Sequence, residues 1–281
     1  MSPPLPARAV ALLACPVCAA DLEDVGNRLV CSTGHSFDRA RQGHVSLLPA
    51  TGPRHDGDSA EMVADRAAFL GAGHYAGVTA ALADAVLAAG EPGTVLDLGG
   101  GTGEHLAGVL DRVPGAVGLV LDASRYAARR AARVHPRAMA VVADSWSRWP
   151  VRPRAVDRVL VVFAPRNGPE TARVLAPRGQ LVVLTPAAEH LAELVGPLGL
   201  LTVDPDKAAR LADSLEPHLV PLTEQRHGHT LQLDHAAVTT LVGMGPHARH
   251  LAPRELAAAV GRLPDLVTVR VAVDVRTYGL P

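Results

Sequence analysis

Three cysteines and one histidine with the spacing of metal ligands stand near the start of the 281-residue sequence. Cys15, Cys18, Cys31 and His35 form a C-P-V-C pair, a spacer of twelve residues and then C-S-T-G-H, and the chain has no other cysteine. Two close ligand pairs joined by a hairpin-length spacer are typical of tetrahedral zinc sites. Three thiolates and one imidazole fill all four positions, so we predict a structural zinc ion and not a catalytic one.

The spacer between the two ligand pairs predicts a β-hairpin. Gly26-Asn27 gives a turn signal between two short apolar segments, and Gly34 supplies a flexible turn beside the histidine. Two alternatives compete with zinc, namely a thioredoxin-like redox pair and three unrelated buried cysteines. A redox pair would precede a helix in a βαβ unit and would need neither Cys31 nor His35. The clustering of all the cysteines favours zinc over both alternatives.

A second chemical signal is the glycine-rich turn in "GTVLDLGGGTGEHLAGVL". Val95–Leu98 predicts a strand, Gly99–Gly103 a turn and Glu104–Leu110 a helix. Such a turn lets backbone amides approach a ligand where side chains would clash. The dinucleotide pattern G-x-G-x-x-G fails at Glu104, whereas D-x-G-x-G-x-G fits from Asp97. That form resembles the S-adenosylmethionine (AdoMet) motif of class I methyltransferases, where an acid at Asp97 suits the cationic amino-acid moiety.

Acids also follow the next two predicted strands. The strand in "AVGLVLDAS" ends in Asp122, which can accept hydrogen bonds from both ribose hydroxyls. The strand in "AMAVVADSW" ends in Asp144, which is placed to meet an adenine amino group. Ligands of such folds bind at the carboxyl ends of the strands, where Phe163 also falls. Three acids in register after a glycine turn are a strong signal for a nucleoside-containing cofactor.

The remaining strands complete an α/β pattern. "VDRVLVVFAPRN" and "RGQLVVLTP" predict the fourth and fifth strands, and "HTLQL" and "LVTVRVAVDVRTY" predict an antiparallel final pair with one helix between them. Helical segments alternate with the strands. The predicted fold is a class I AdoMet-dependent methyltransferase, with a Rossmann-like, seven-stranded, mostly parallel sheet and a small N-terminal zinc-binding domain.

Three segments are expected along the chain: a zinc-binding RNA-recognition module over 1–50, a linker and helical segment over 51–90, and the methyltransferase domain over 91–281. The stretch "TGPRHDGDSA" has the composition of a linker, without periodicity. Ser59 is expected to cap a first helix, and a second helix closes at Gly90.

Composition and charge bound the class of protein. Hydrophobic residues make up 48% of the chain and the formal net charge is −1, so a core is possible and no global basic field indicates a nucleic-acid partner. We find no signal peptide, and no uncharged apolar run reaches the roughly 18 residues of a membrane span. Unpaired cysteines indicate a reducing compartment. We therefore expect a soluble cytoplasmic protein without a membrane partner.

Local basic patches remain open to two interpretations. Arg39, Arg41 and His44 follow the last metal ligand, and the densest arginine run spans residues 124–137. Both patches suit a polyanion, and both suit an ordinary solvated surface. The sequence leaves the two interpretations open.

Over nearly its whole length the sequence resembles the 23S ribosomal RNA (guanine-N1)-methyltransferases, a family that includes a macrolide (tylosin-type) resistance branch. The matching stretches, in family order, are "CPVC…CSTGHSFDRARQGHVSLL", "DSAEMVADRAAFLGAGHY", "VLDLGGGTG", "VFAPRN", "TPAAEHLAEL" and "GMGP". The first two are distinctive. The family often has Tyr and Asn where this chain has His44 and Ser46, so the resemblance assigns no role to those two side chains.

The resemblance implies a structural zinc ion on the four ligands and cofactor contacts from both the glycine turn and two outlying residues. The expected AdoMet-binding set is therefore Tyr75, Asp97, Gly99, Gly101, Thr102, Gly103, Asp122, Asp144 and His190. The resemblance also implies 23S rRNA as partner and a homodimer with a shared cleft, in which the zinc module is the second arm of an RNA clamp.

The implied reaction is methyl transfer from AdoMet to N1 of a guanine in a ribosomal RNA hairpin near the macrolide-binding tunnel. N1 lies on the Watson–Crick edge, so the guanine must be unpaired or flipped out. No catalytic side chain is assigned, because Asp144 is expected to engage adenine. A backbone carbonyl near Ala164-Pro165 or water is left as the proton acceptor.

Two other functions compete with this one. A methyltransferase acting on a small natural product would share the cofactor half but would have no need of a zinc module. A zinc-dependent RNA-binding protein without catalysis would not need Asp97, Asp122 and the glycines of the turn. A measurement of AdoMet binding separates this last possibility from both enzymes.

Overall fold

A computed structural model of the 281-residue chain describes residues 4–48, 57–200, 202, 204, 206–245, 248 and 252–281. Most of the predicted linker "TGPRHDGDSA" and the last residue of "GMGP" lie outside the described residues. Within the described ranges, no helix combines the length and the apolarity needed to cross a lipid bilayer.

The N-terminal part is a short helix followed by a small antiparallel sheet. Helix α1 spans Ala7–Val10, and the sheet has the order β1-β2-β3, with β1 over Leu22–Asp24, β2 over Arg28–Cys31 and β3 over Ser36–Asp38. Strands β1 and β2 form the predicted hairpin, and Gly26 adopts a φ of 71° in its turn. A positive φ costs glycine nothing, which explains the residue at this position.

The main sheet has eight strands in the order β10-β11-β9-β8-β5-β6-β7-β4. Strands β4 to β9 pair in parallel, and β11 runs antiparallel to both of its neighbours. Their bounds are β4 Val45–Ser46, β5 Thr94–Leu98, β6 Val117–Asp122, β7 Ala138–Val142, β8 Val156–Val162, β9 Leu175–Pro186, β10 Val220–Leu233 and β11 Val267–Gly279.

This topology confirms the predicted class I methyltransferase fold, with one strand more than expected. The additional strand β4 comes from the end of the zinc module and pairs with Val141 and Val142 of β7. A strand of two residues is too short to show the alternation that marks strands in a sequence. The module is therefore continuous with the large sheet through backbone hydrogen bonds.

Nine further helices lie among the described residues: α2 Ala60–Gly71, α3 Ala76–Leu87, α4 Glu104–Arg112, α5 Arg125–Ala131, α6 Gly168–Val174, α7 Ala192–Leu198, α8 Lys207–Leu215, α9 His235–Gly243 and α10 Pro253–Val260. The side chain of Ser59 accepts a hydrogen bond from the Met62 amide and caps α2, as predicted. Two helices, α9 and α10, separate the last two strands where one was expected.

Two hydrophobic clusters cover the two faces of the main sheet. Val120 of β6 packs with helices α2 to α4 on one face, whereas Leu119 and Leu121 point to the other, as the two-residue period of a strand requires. On that second face they join Leu13 and Leu29 of the N-terminal part. The zinc module thus completes its small core by packing against the methyltransferase sheet.

Candidate functional site

The four predicted metal ligands come together. Their ligand atoms all lie within 4.8 Å of one another. The sulfur atoms of Cys18 and Cys31 are 3.7 Å apart, and His35 Nδ1 lies 3.6 Å from Cys15 Sγ and 3.4 Å from Cys31 Sγ. Zinc–sulfur bonds of about 2.3 Å at tetrahedral angles would place two sulfur ligands about 3.8 Å apart. The cluster therefore has the dimensions of a tetrahedral zinc site.

Tight turns shape the two halves of this centre. The Ala19 amide donates to the Cys15 carbonyl at 2.8 Å, and the Gly34 amide donates to the Cys31 carbonyl at 2.9 Å. Ala19 and Gly34 both adopt positive φ angles, 61° and 89°. Each turn folds the chain back so that both members of a ligand pair face the same point.

A threonine that the sequence did not single out lies against the ligands. Thr33 Oγ1 is 3.0 Å from Cys18 Sγ, 3.1 Å from Cys31 Sγ and 3.1 Å from His35 Nδ1. Its hydrogen bond is the main reason that the pKa of Cys31 falls to about 6. A lowered pKa favours the thiolate, which is the form that binds metal.

The redox alternative does not fit the surroundings of the cysteines. Cys15 and Cys18 precede strand β1 instead of a helix, and their neighbours belong to a small antiparallel sheet and not to a βαβ unit. All three cysteines are free thiols. Since Cys31 and His35 converge on the same point, the geometry favours a metal centre.

A cavity of about 800 Å³ opens at the carboxyl ends of the parallel strands. Six of the nine predicted cofactor residues line it: Tyr75, Asp97, Gly99, Asp122, Asp144 and His190. The other three, Gly101, Thr102 and Gly103, belong to the turn between β5 and α4 but are not among the residues that line the cavity. The acids meet there because β5, β6 and β7 are parallel neighbours whose ends share one edge.

Asp97 is a buried acid that lacks a partner. Its side chain is 1% exposed, and neither oxygen has a hydrogen-bond partner in the described part of the chain. Burial, with smaller effects from Asp122 and Glu104, raises its pKa to about 7. An unpaired buried carboxylate is costly, and a cationic ligand would relieve that cost. The site therefore fits the ammonium group of an amino acid.

Asp122 and Asp144 are oriented by short local hydrogen bonds. Asp122 accepts from the amides of Gly101 at 2.9 Å and Ser124 at 2.7 Å. Asp144 accepts from the Trp146 amide and the Ser147 hydroxyl, both at 2.9 Å. Each carboxylate oxygen can accept more than one hydrogen bond, so Asp122, with one bond on each oxygen, can accept further donors such as hydroxyl groups.

Tyr75, Phe163 and His190 form an aromatic cluster at the cavity. Tyr75 is 3% exposed, and its hydroxyl lies 3.4 Å from His190 Nε2. The Ala272 amide donates to His190 Nδ1 at 3.2 Å, so neutral His190 carries its proton on Nε2 and donates to Tyr75. This arrangement leaves the hydroxyl hydrogen of Tyr75 for another acceptor.

The structure adds Trp146 and Arg66 to the residues at the cavity and defines the position of Phe163, which the sequence placed only at a strand end. Phe163 adopts a φ of 52°, a conformation that is rare outside glycine, and its ring is 42% exposed at the cavity. Trp146 and Arg66 also line the cavity. An arginine inside a predicted surface helix gives no signal in a single sequence, because such residues are usually solvated.

The basic patches separate into buried and exposed members. Arg39 is 7% exposed and donates to the Gly43 carbonyl at 3.3 Å, which matches a structural role. Arg137 donates to the Val113 and Ala116 carbonyls at 2.7 and 2.6 Å, which likewise ties it to the fold. The remaining members that are exposed are Arg41, Arg125, Arg129, Arg130 and Arg133.

Comparison with known proteins finds relatives along the whole chain. A zinc-ribbon family model described as "RlmA, N-terminal" matches residues 13–54. A Streptomyces fradiae protein named 23S rRNA (guanine(748)-N(1))-methyltransferase is 48% identical over 94% of this chain and 95% of its own length. A Micromonospora griseorubida protein, provisionally named 23S rRNA (guanine-N(1)-)-methyltransferase, is 52% identical over 95% of this chain and 96% of its own length.

Proposed function

The chain belongs to the 23S rRNA (guanine-N1)-methyltransferase family, and we propose that it transfers a methyl group from AdoMet to N1 of a guanine in a 23S rRNA hairpin loop. The observation that carries the proposal is the partnerless, buried Asp97 in the cavity at the strand ends. No observation favours a small natural product as substrate, since the metal centre would have no part in that reaction.

The cavity residues would hold the cofactor by its polar groups. Asp97 binds the ammonium group, Asp122 the ribose hydroxyls and Asp144 the adenine amino group. The glycine turn brings backbone amides close to the amino-acid end, and Tyr75 and His190, joined by their hydrogen bond, supply a further part of the cavity wall. Bound in this way, AdoMet supplies an electrophilic methyl group.

The protein's own part in the reaction is to position the base. N1 is reached only when the guanine leaves its pair, and flipped bases stack on aromatic side chains. Phe163 offers an exposed ring beside Tyr75 and His190, with ring centroids 6.3 and 5.7 Å away. Ala164 and Pro165 line the same cavity, so a backbone carbonyl there, or water, is the proposed acceptor of the N1 proton.

The zinc module over 1–50 is the proposed second arm for RNA, joined through 51–90 to the methyltransferase domain over 91–281. Gly43 packs against Ala132 just after α5, where a Cβ would come within 3.4 Å. Arg41 is two residues from this contact in sequence, Arg129 and Arg133 are within three residues of it, and all three are exposed. Basic side chains on neighbouring surfaces suit the phosphates of a folded RNA.

We further propose a cytoplasmic homodimer with a shared RNA cleft. Strand β10 forms one edge of the main sheet, and its Val220 and Leu222 are 39% and 48% exposed. A long edge strand with exposed apolar side chains is a template for pairing with another chain. Sedimentation equilibrium of the purified protein tests this point, and a monomer at micromolar concentration would contradict it.

The main test compares ribosomal RNA from cells with and without the protein, by primer extension and mass spectrometry. We expect one additional N1-methylguanine in a 23S rRNA hairpin loop, absent from cells that express Asp97→Asn. The absence of any new N1-methylguanine would refute the assignment. Growth of the same cells on a tylosin-type macrolide tests whether the modification protects the ribosome.

A further inference from the structure

Arg66 of helix α2 brings a guanidinium group to the cofactor cavity with hydrogen-bonding capacity to spare. Its Nη1 lies 2.7 Å from Asp58 Oδ2, and its Nη2 donates to the Met244 carbonyl at 2.9 Å. A guanidinium has five N–H donors in a fixed fork, so these contacts leave donors for a ligand. Both partners also line the cavity, which places the charged head of Arg66 at its wall.

The glycine turn packs against both Arg66 and Asp97. A Cβ on Gly101 would lie 2.8 Å from Arg66 Nη1, and a Cβ on the preceding Gly100 would collide with the Asp97 carboxylate. Two consecutive glycines thus have charged groups of opposite sign packed against them. A ligand with an ammonium group and a carboxylate on one carbon carries the two charges that complement them.

Arg66 is a cationic side chain that acts on the buried acids at this end of the cavity. Its positive charge opposes the burial that raises the pKa of Asp122 and Glu104, so it lies within range of both acids. The same charge adds to the burial that lowers the pKa of His105 to about 4, so that histidine is neutral near pH 7. His105 therefore offers no positive charge to a carboxylate ligand there, whereas the guanidinium of Arg66 does.

We infer that Arg66 binds the carboxylate of the cofactor's amino-acid moiety, while Asp97 binds its ammonium group. The inference rests on the proposed function, because it takes AdoMet as the occupant of the cavity. The competing explanation is structural, with Arg66 serving only to tie α2 to Asp58 and Met244. The two explanations differ in which part of the ligand Arg66 recognises.

Calorimetric titration of the zinc-loaded full chain with three ligands separates them. AdoMet has both groups, decarboxylated AdoMet keeps the amine, and 5′-methylthioadenosine has neither. We expect Arg66→Gln to weaken AdoMet about 10- to 100-fold, as for loss of a charge-assisted hydrogen bond, and to change the other two by less than about threefold. Arg66→Lys, which keeps the charge without the fork, should lie between.

Two further variants serve as controls, one at the proposed ammonium site and one outside the cavity. Asp97→Asn should weaken AdoMet and decarboxylated AdoMet alike and leave 5′-methylthioadenosine unchanged. Arg112→Gln removes a comparable ion pair with Asp84, 2.9 Å long and outside this cavity, and should change none of the three affinities.

Three outcomes would overturn the inference in different ways. Equal weakening of all three ligands by Arg66→Gln would make Arg66 a structural residue. Equal affinity of the unmodified protein for AdoMet and decarboxylated AdoMet would show that no side chain recognises the carboxylate, whether or not the variant folds. Failure of the unmodified protein to bind any of the three ligands would instead refute the proposed function.

Discussion

The metal centre and the cofactor cavity are built in opposite ways. The metal ligands all lie between Cys15 and His35, and hydrogen bonds inside two tight turns aim them at one point. The residues that line the cavity are spread from Gly57 to Gly245 and meet because parallel strands end at one edge of the sheet. One site is a local structure completed by a metal, whereas the other is a product of the whole topology.

The two regions nevertheless share a structural base. Leu13 and Leu29 of the N-terminal part pack in the same cluster as Leu119 and Trp149 of the large domain. The cavity lies at the strand ends, beside the helices of the other face. Damage to the metal centre should therefore uncover one face of the sheet and leave the cofactor residues in register.

The largest expected effect is that of Cys31→Ser. Structural zinc contributes about 10–16 kcal/mol to the folding of small zinc domains, so the variant should lose the metal and the fold of its N-terminal sheet. We expect rRNA methylation to fall below detection, while AdoMet affinity changes by less than about threefold. Elemental analysis, methyl incorporation and calorimetry measure the three quantities.

Val25→Ala is the matched control for this prediction, because Val25 is 58% exposed in the same hairpin and is not a ligand. It should retain zinc and methylation. Full methylation by a zinc-free Cys31→Ser protein would break the proposed link between the metal centre and RNA. Loss of AdoMet binding as well would show that the cofactor site depends on the module, through strand β4 and the shared core.

The second prediction concerns Asp97→Asn, which should weaken AdoMet binding and stabilise the ligand-free protein. A pKa raised from 3.8 to about 7 corresponds to about 4 kcal/mol that the folded state loses above pH 7. A buried amide and a buried neutral acid carry similar desolvation costs, so above pH 7 the free energy of unfolding should rise by a few kcal/mol, up to about 4 kcal/mol. Thermal denaturation with and without AdoMet measures both effects.

The sign of the pH dependence follows from the raised pKa. Between about pH 4 and about pH 7 the folded protein keeps a proton on Asp97 that the unfolded chain has released, so the free energy of unfolding falls as pH rises. Asp97→Asn should have a smaller slope, and the part that remains comes from other acids with raised pKa values, such as Asp122 and Glu104. Asp84→Asn, at an exposed ion pair with Arg112, should retain the full slope. The same slope in both variants would assign the titration to another group.

The contrast between the two regions also explains what the sequence could reveal. The convergence of Cys15, Cys18, Cys31 and His35 was predictable from their spacing, and the meeting of Asp97, Asp122 and Asp144 at one edge of the sheet from their positions at the ends of apolar strands, because both signals are local. Strand β4 escaped prediction, since its pairing with β7 depends on tertiary packing. Arg66 escaped for the same reason, because its neighbours Gly101 and Met244 are distant in sequence.

The smallest expected effect is that of Tyr75→Phe, which tests whether the Tyr75 hydroxyl at the cavity wall contributes to cofactor binding. The ring packs edge-on against Phe69, with centroids 5.1 Å apart, and that packing survives in the variant. Burial raises the pKa of Tyr75, so its hydroxyl stays protonated and can donate to a ligand. Removal of one such hydrogen bond should weaken AdoMet binding by about 2- to 10-fold, measured by calorimetry.

Tyr126→Phe supplies the comparison for this last variant. The Tyr126 hydroxyl accepts a hydrogen bond from Arg125 Nη2 at 2.9 Å on the exposed side of α5. The substitution therefore removes a similar hydrogen bond outside the cavity. We expect it to leave AdoMet affinity unchanged. If Tyr75→Phe also leaves AdoMet affinity unchanged, only the ring of Tyr75 contributes to cofactor binding. His190 then needs no hydrogen bond to the Tyr75 hydroxyl to contact the cofactor.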